Sequence, residues 1–288
     1  LAKINLTSIL SKIPGNICYA TIAGSHSFGL ARENSDIDIK GVFIVPIEKI
    51  LGLDSFSMQD NSFTLSMNDF DYEFHEISKF LKLMLKCNPT VLEVAFVKES
   101  LLLEQNEIGK RMRELAPTVL HSGYDSKRDK AWGIWATFYG YAKSQIYKGI
   151  NKTFENVKAT DAELAKLIPK GLAPEVAIDQ IYSDKHKSSL VEYIDINYDK
   201  KFFSHTIRLL SSGAHCLQTG QFLVVPPCQN FCKSILSGQI KLGEIIEYFN
   251  ELNSLYECLK NDNVLPNNPN KKLIEEFLVN VRLLSCQN

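Results

Sequence analysis

The 288-residue sequence lacks a charge bias: 32 Lys and Arg stand against 33 Asp and Glu, a formal net charge of -1. No global field draws the chain to nucleic acid or to an anionic membrane, so any polyanionic partner must be held locally. It lacks an apolar run of about 18 residues, and no charged-then-apolar leader opens it, so neither a membrane span nor a targeting segment is expected. It has no C-x-x-C pair. Its seven cysteines (Cys18, Cys87, Cys216, Cys228, Cys232, Cys258 and Cys286) are odd in number and scattered, which fits a reducing, cytoplasmic setting rather than a disulfide framework. Cys228 and Cys232, without closely spaced histidines, read as ordinary thiols rather than as a zinc site. Repeats and low-complexity tracts are also missing. With 45% hydrophobic and 10% aromatic residues, the chain can bury a core in one large or two ordinary domains.

The pattern is mixed at first and helical later, which predicts an α+β fold. Residues 16–23 (NICYATIA) form an apolar, β-prone run ending at Gly24, and residues 36–45 (DIDIKGVFIV) form a second strand closed by Pro46. Between them, residues 25–32 suit a short helix or tight coil. Residues 70–75 (FDYEFH) alternate as a third strand. Ile77, Phe80, Leu81, Met84 and Leu85 then recur at helical spacing until Asn88-Pro89 stops them, and Thr90 with Glu93 reads as a capping-box start for the next helix. From about residue 125 helices take over, with Trp132, Trp135, Ala136, Tyr139, Ala142 and Ile146 on one apolar face and Phe202, Thr206, Leu209, Leu210, Gly213 and Leu217 on another. Residues 150–200 between these faces are polar, Lys-rich and interrupted by Pro169, Gly171 and Pro174, as an insertion or flap would be. Helices over 241–261 and 270–285 follow.

Chemistry concentrates between Gly24 and Asp38: Gly24-Ser25, ten residues, then Asp36-Ile37-Asp38. Positions i and i+2 of a strand point the same way, so Asp36 and Asp38 present two carboxylates on one face, where they repel. A divalent cation relieves that repulsion, and hard oxygen ligands suit Mg²⁺ shared with substrate phosphates. The Gly-Ser turn offers backbone N–H groups and a hydroxyl to a triphosphate. A third acid on a neighbouring strand would complete a two-metal site. Asp71 and Glu73 share a face and an apolar setting, so both are candidates; Asp71 is the first choice. A lone D-x-D is commonly a turn or solvated edge, and a lone Gly-Ser is commoner still; the two together, behind an apolar strand and ahead of an acidic one, are specific.

The stretch GSHSFGLARENSDIDIKGVFIVP resembles the G-S-x-x-x-G…S-D-x-D signature of polymerase-β-like nucleotidyltransferases. More narrowly, the chain is similar to the RNA-repair-pathway nucleotidyltransferases of bacteria and phages. That likeness runs through D-x-E-x-H-E-I-x-K-F (residues 71–80) and K-C-N-P-T-V-L-E (86–93), with weaker echoes in GYAKSQ (140–145), SHTIRLL (204–210) and Gln218-Thr219-Gly220. It departs from the pattern at His26 and Lys40, where many relatives carry Arg, and at Cys87, where relatives often carry Gly. The resemblance implies a small mixed sheet with flanking helices over residues 1–122 and a mainly helical, substrate-binding domain over 123–288. It also implies Mg²⁺, two ions with Mn²⁺ as a substitute, and transfer of a nucleoside monophosphate from an NTP such as ATP to an RNA end, a tRNA-like RNA or a protein hydroxyl. Carried over by position, Gly24 and Ser25 bind the triphosphate, while Asp36, Asp38 and Asp71 (or Glu73) bind metal.

In the helical half, Lys143 and Gln145 could reach phosphates, against the blander reading of a solvated helix face. His205 and Arg208, three residues apart on one face, with His215 about two turns on, could contact nucleotide phosphates; the alternative is an Arg paired with an internal carboxylate. A competing function is a catalytically silent, antitoxin-like protein that binds nucleotide without turnover. The repelling pair Asp36 and Asp38 argues against it, since a silent protein has no use for that repulsion.

Overall fold

The computed structural model describes residues 6–53, 61–67, 69–125, 130–160 and 198–284. Contacts divide the chain into two compact units: Leu1–Thr137 with His215–Val225 and Asn263–Asn288, and Phe138–Ala214 with Pro226–Asp262. Most of the expected polar insertion, residues 161–197, lies outside the described residues, as does Cys286.

The first unit is built on a mixed five-stranded sheet of β1 (Asn16–Ile22), β2 (Ile37–Ile44), β3 (Ser62–Met67), β4 (Phe70–Glu76) and β5 (Leu102–Gln105), in the order β3-β4-β2-β1-β5. β2 and β4 run parallel; the other neighbours are antiparallel. A two-stranded ribbon pairs Tyr124–Asp125 with Lys130–Ala131. The helices are α1 (Thr7–Leu10), α2 (Gly24–Phe28), α3 (Ile47–Leu51), α4 (Ile77–Leu85), α5 (Pro89–Ala95), α6 (Glu107–Leu115), α7 (Ile134–Thr160), α8 (Lys200–Thr219), α9 (Gln229–Ser237), α10 (Leu242–Leu259) and α11 (Lys271–Leu284). Among the described residues no helix is long and apolar enough to cross a membrane.

Strand alternation gives the sheet two faces with different fates. On one, Ala20, Ile39, Phe43, Tyr72 and Phe74 pack with Ile9 and Ile13 into a buried cluster. Burying each of the larger side chains stabilises the fold by about 1.5–3 kcal/mol. On the other, Tyr19 is fully buried and its hydroxyl donates to the Val94 carbonyl at 2.8 Å, tying β1 to α5. α4 lays Ile77, Phe80, Leu81 and Met84 into the interior. The beginnings of β2 and β4 emerge from this packing, and there the acids lie.

Three local expectations are corrected. Thr90 and Glu93 form no capping box: the Asn88 side chain caps α5 by accepting from Val91 N–H at 3.3 Å, Pro89 takes the first turn, and Glu93 is buried inside the helix. Asn88-Pro89 therefore starts one helix as well as stopping another, because proline needs no N–H donor at that position. Helix α7 begins at Ile134, after Trp132, and runs on to Thr160, inside the stretch expected to be an insertion. Cys87, which follows α4, has a φ of +50°. That left-handed conformation is the one glycine adopts without strain.

In the second unit, Gly213 gives α8 close contact with its neighbours: a Cβ there would lie 1.8 Å from the Tyr256 hydroxyl oxygen. Tyr256 is fully buried and stacks on Tyr139 with ring centroids 5.8 Å apart.

Candidate active site

Parallel pairing sets Asp38 of β2 opposite Asp71 of β4. Neighbouring strands lie about 4.8 Å apart, so these carboxylates share one face at close range. Asp36 stands two residues before Asp38, just ahead of the strand; Asp36 and Asp71 are exposed and Asp38 is half-buried. The turn after β1 is drawn against them, with Ala23 N–H donating to the Asp38 carbonyl at 2.8 Å. Gly24 has a φ of +61°, and a Cβ built on it would meet Asp38 Oδ2 at 1.8 Å. Glycine is thus required twice over, by conformation and by the carboxylate beside it. α2 starts at Gly24, so the N–H groups of its first turn, Ser25 included, have no partner within the helix. The Ser27 hydroxyl donates to the Gly24 carbonyl at 2.8 Å and holds the turn in shape.

Glu73 is engaged elsewhere. It is in register with Lys40, whose ammonium donates to Oε2 at 2.6 Å, and His75 Nε2 lies 3.5 Å from Oε1. Burial alone would raise the Glu73 pKa, but Lys40, by charge and hydrogen bond, together with His75 and Lys79 holds it below the usual carboxylate range. His75 is pushed down by burial and by Lys79 and Lys40, with Glu73 opposing. The chain of polar groups continues through the Ser62 hydroxyl, 3.0 Å from His75 Nδ1, to Lys79. Lys40 was not among the expected site residues. Its signal was its place two residues after Asp38, on the same face; its pairing with Glu73 depends on the β2–β4 register.

Lys143, His205 and Arg208 belong to the second unit. Lys143 sits over the Tyr139 ring, 5.3 Å from its centroid, and the Tyr139 hydroxyl donates to Asn253 at 2.6 Å. Arg208 is only 4% exposed. Burial pushes His205 down to about 3, and Arg208, Lys201 and Lys148 add to the shift, so the ring is neutral at pH 7 amid cations.

Asp36, Asp38 and Asp71 supply hard oxygen donors, the chemistry Mg²⁺ prefers. Among the described residues no three His, Cys, Asp or Glu side chains close into a cage of their own. A face of carboxylates beside a glycine turn leaves coordination positions for phosphate oxygens and water, the shared shell in which Mg²⁺ is usually held.

A mixed sheet bearing carboxylates in register on two parallel strands, with a Gly-Ser turn against them, defines the class of polymerase-β-type nucleotidyltransferases. The RlaP family, described as the RNA repair pathway DNA polymerase beta family, matches residues 2–280, and the chain belongs to that family. No curated protein matches the chain.

Proposed function

We propose that the protein is a Mg²⁺-dependent nucleotidyltransferase that moves a nucleoside monophosphate from an NTP to an RNA end and releases pyrophosphate. The observation that carries this reading is the register of Asp38 with Asp71 beside Gly24. Asp36, Asp38 and Asp71 are the residues suited to hold the ion or ions, with Mn²⁺ as a substitute. When bound, Mg²⁺ supplies charge that activates the attacking hydroxyl and steadies the leaving pyrophosphate. Asp71 takes the third-acid role in preference to Glu73, because Glu73 is already neutralised by Lys40. The first-turn N–H groups at Gly24 and Ser25 bind triphosphate oxygens, a role for which the glycine's missing side chain leaves room. Lys143, His205 and Arg208 are assigned to nucleotide or acceptor phosphates in the helical unit. The RNA repair description of the family supports RNA over protein as the acceptor.

The test incubates the purified protein with each α-labelled NTP, Mg²⁺ and total RNA or total protein, beside Asp36→Asn with Asp38→Asn. Label transferred to RNA by the parent and not by the double variant is the expected result. Transfer that survives in the variant overturns the residue assignment, label on protein overturns the acceptor, and NTP binding without transfer supports the silent protein instead.

A further inference from the structure

Two thiols in the second unit are placed for chemistry that nucleotidyl transfer does not use. Cys228 is the N-cap residue of α9, and Cys232 follows one turn later; their sulfurs lie 3.6 Å apart. Residues i and i+4 of a helix have Cα atoms about 6 Å apart, inside the range that a disulfide spans. Both thiols also point to carbonyls of α8, Cys228 to Ile207 at 3.8 Å and Cys232 to Ser204 at 3.6 Å. Cys228 is 8% exposed and Cys232 fully buried, so a small reagent meets Cys228 first.

We propose that Cys228 and Cys232 form a peroxide-reactive dithiol that closes to a disulfide at the N-terminus of α9. The Cys228 thiolate attacks a hydroperoxide oxygen; the O–O bond breaks, the leaving oxygen departs as hydroxide or alkoxide, and Cys228 becomes a sulfenic acid. The Cys232 sulfur then attacks the Cys228 sulfur, its proton leaves with the displaced hydroxyl as water, and the S–S bond forms. The dithiol loses two electrons and the hydroperoxide gains them. Cys228 has the properties of an attacking thiol. The hydrogen bond with Cys232 lowers its pKa despite burial, and Ser211 and the Arg208 charge act in the same direction. Cys232 is the resolving thiol, its pKa raised by that same hydrogen bond and by burial. The contrast with the other buried cysteines is chemical as well as geometric: burial pushes Cys18, Cys87 and Cys216 up to about 12. At neutral pH they are thiols, not nucleophiles.

The experiment exposes the reduced full chain to rising hydrogen peroxide, alkylates free thiols under denaturing conditions, and maps cysteine peptides by mass. Expected is a Cys228–Cys232 link, lighter than the dithiol by two hydrogens and reversed by reductant. It should form at least about tenfold faster than oxidation of Cys18, Cys87 or Cys216. Cys232→Ser, which cannot close the bond, should leave a sulfenic acid trapped by dimedone on Cys228, whereas Cys228→Ser should leave none on Cys232. The proposal is overturned if both thiols remain alkylatable at a dose that oxidises the exposed Cys258, or if Cys228 links to another cysteine. Because the readout is mass, the result is independent of whether the protein transfers nucleotides.

Discussion

The two ends of β4 treat their carboxylates in opposite ways. At its start Asp71 is exposed and directly opposite Asp38, a like-charge pair that destabilises a sheet. At its end Glu76, on the other face of the strand, is 2% exposed and fully satisfied: Arg282 of α11 donates to Oε1 at 2.6 Å, and Oε2 accepts from Ser78 N–H and its hydroxyl. Arg282 also donates to the Val45 carbonyl at 3.4 Å, just past the end of β2. Glu73 lies between, half-buried and paired with Lys40. The comparison separates acids paired with internal cations, Glu76 with Arg282 and Glu73 with Lys40, from the two acids that the β2–β4 register sets opposite each other.

The strongest challenge to that contrast is Asp71→Asn. Loss of the carboxylate proposed to hold Mg²⁺ should lower transfer by about 1,000-fold or more, while metal-free stability rises by roughly 0.5 kcal/mol as the repulsion with Asp38 is relieved. Transfer assays and thermal melts on the same preparation read both. At the closed end, Arg282→Met should cost about 3–5 kcal/mol in urea unfolding, because it leaves Glu76 buried without its counter-charge; a cost near zero would make the two ends of β4 equivalent. The second unit offers a neutral counterpart in His205, whose folded pKa is depressed to about 3 from 6.5. Below pH 6.5 the unfolded chain binds the proton that the folded chain refuses, so stability falls as pH drops from 6.5 toward 3. His205→Gln should flatten that acid limb by on the order of 1–2 kcal/mol at pH 5, measured by urea titrations at several pH values. The smallest effect belongs to Glu73→Gln. A half-exposed pair stabilises by about 0.5–1 kcal/mol, present above the ordinary carboxyl value of 4.5 and lost as pH falls through the lowered folded value. Transfer should change by less than about tenfold if Glu73 is no metal ligand, set against the full loss expected at Asp71.

Residues that speak through their neighbours in sequence were legible. β1, β2 and β4 announced themselves by apolar runs and alternation, although β2 starts at Ile37 and leaves Asp36 just ahead of the strand expected to carry it. β3 (SFTLSM) and β5 (LLEQ) were not found, since one is a half-exposed edge and the other is four residues paired through an irregular register. The choice between Asp71 and Glu73 could not be made from flanking residues because both are bordered by aromatics. It turns on the β2–β4 register, which sets one acid opposite Asp38 and the other opposite Lys40. The Thr90–Glu93 pattern misled because Asn88, a better cap, stood two residues earlier with a proline behind it. Nothing near Glu76 announced Arg282.

The partners of that last pair are 206 residues apart in the chain. At a synthesis rate of about 5–20 residues per second, β4 is made roughly 10–40 s before the arginine that neutralises its buried end. On the ribosome the Glu76–Arg282 pair can therefore close only after that interval has passed. The first unit draws segments from both sides of the second in sequence, so its last helix is added only after the helical unit between them has been synthesised.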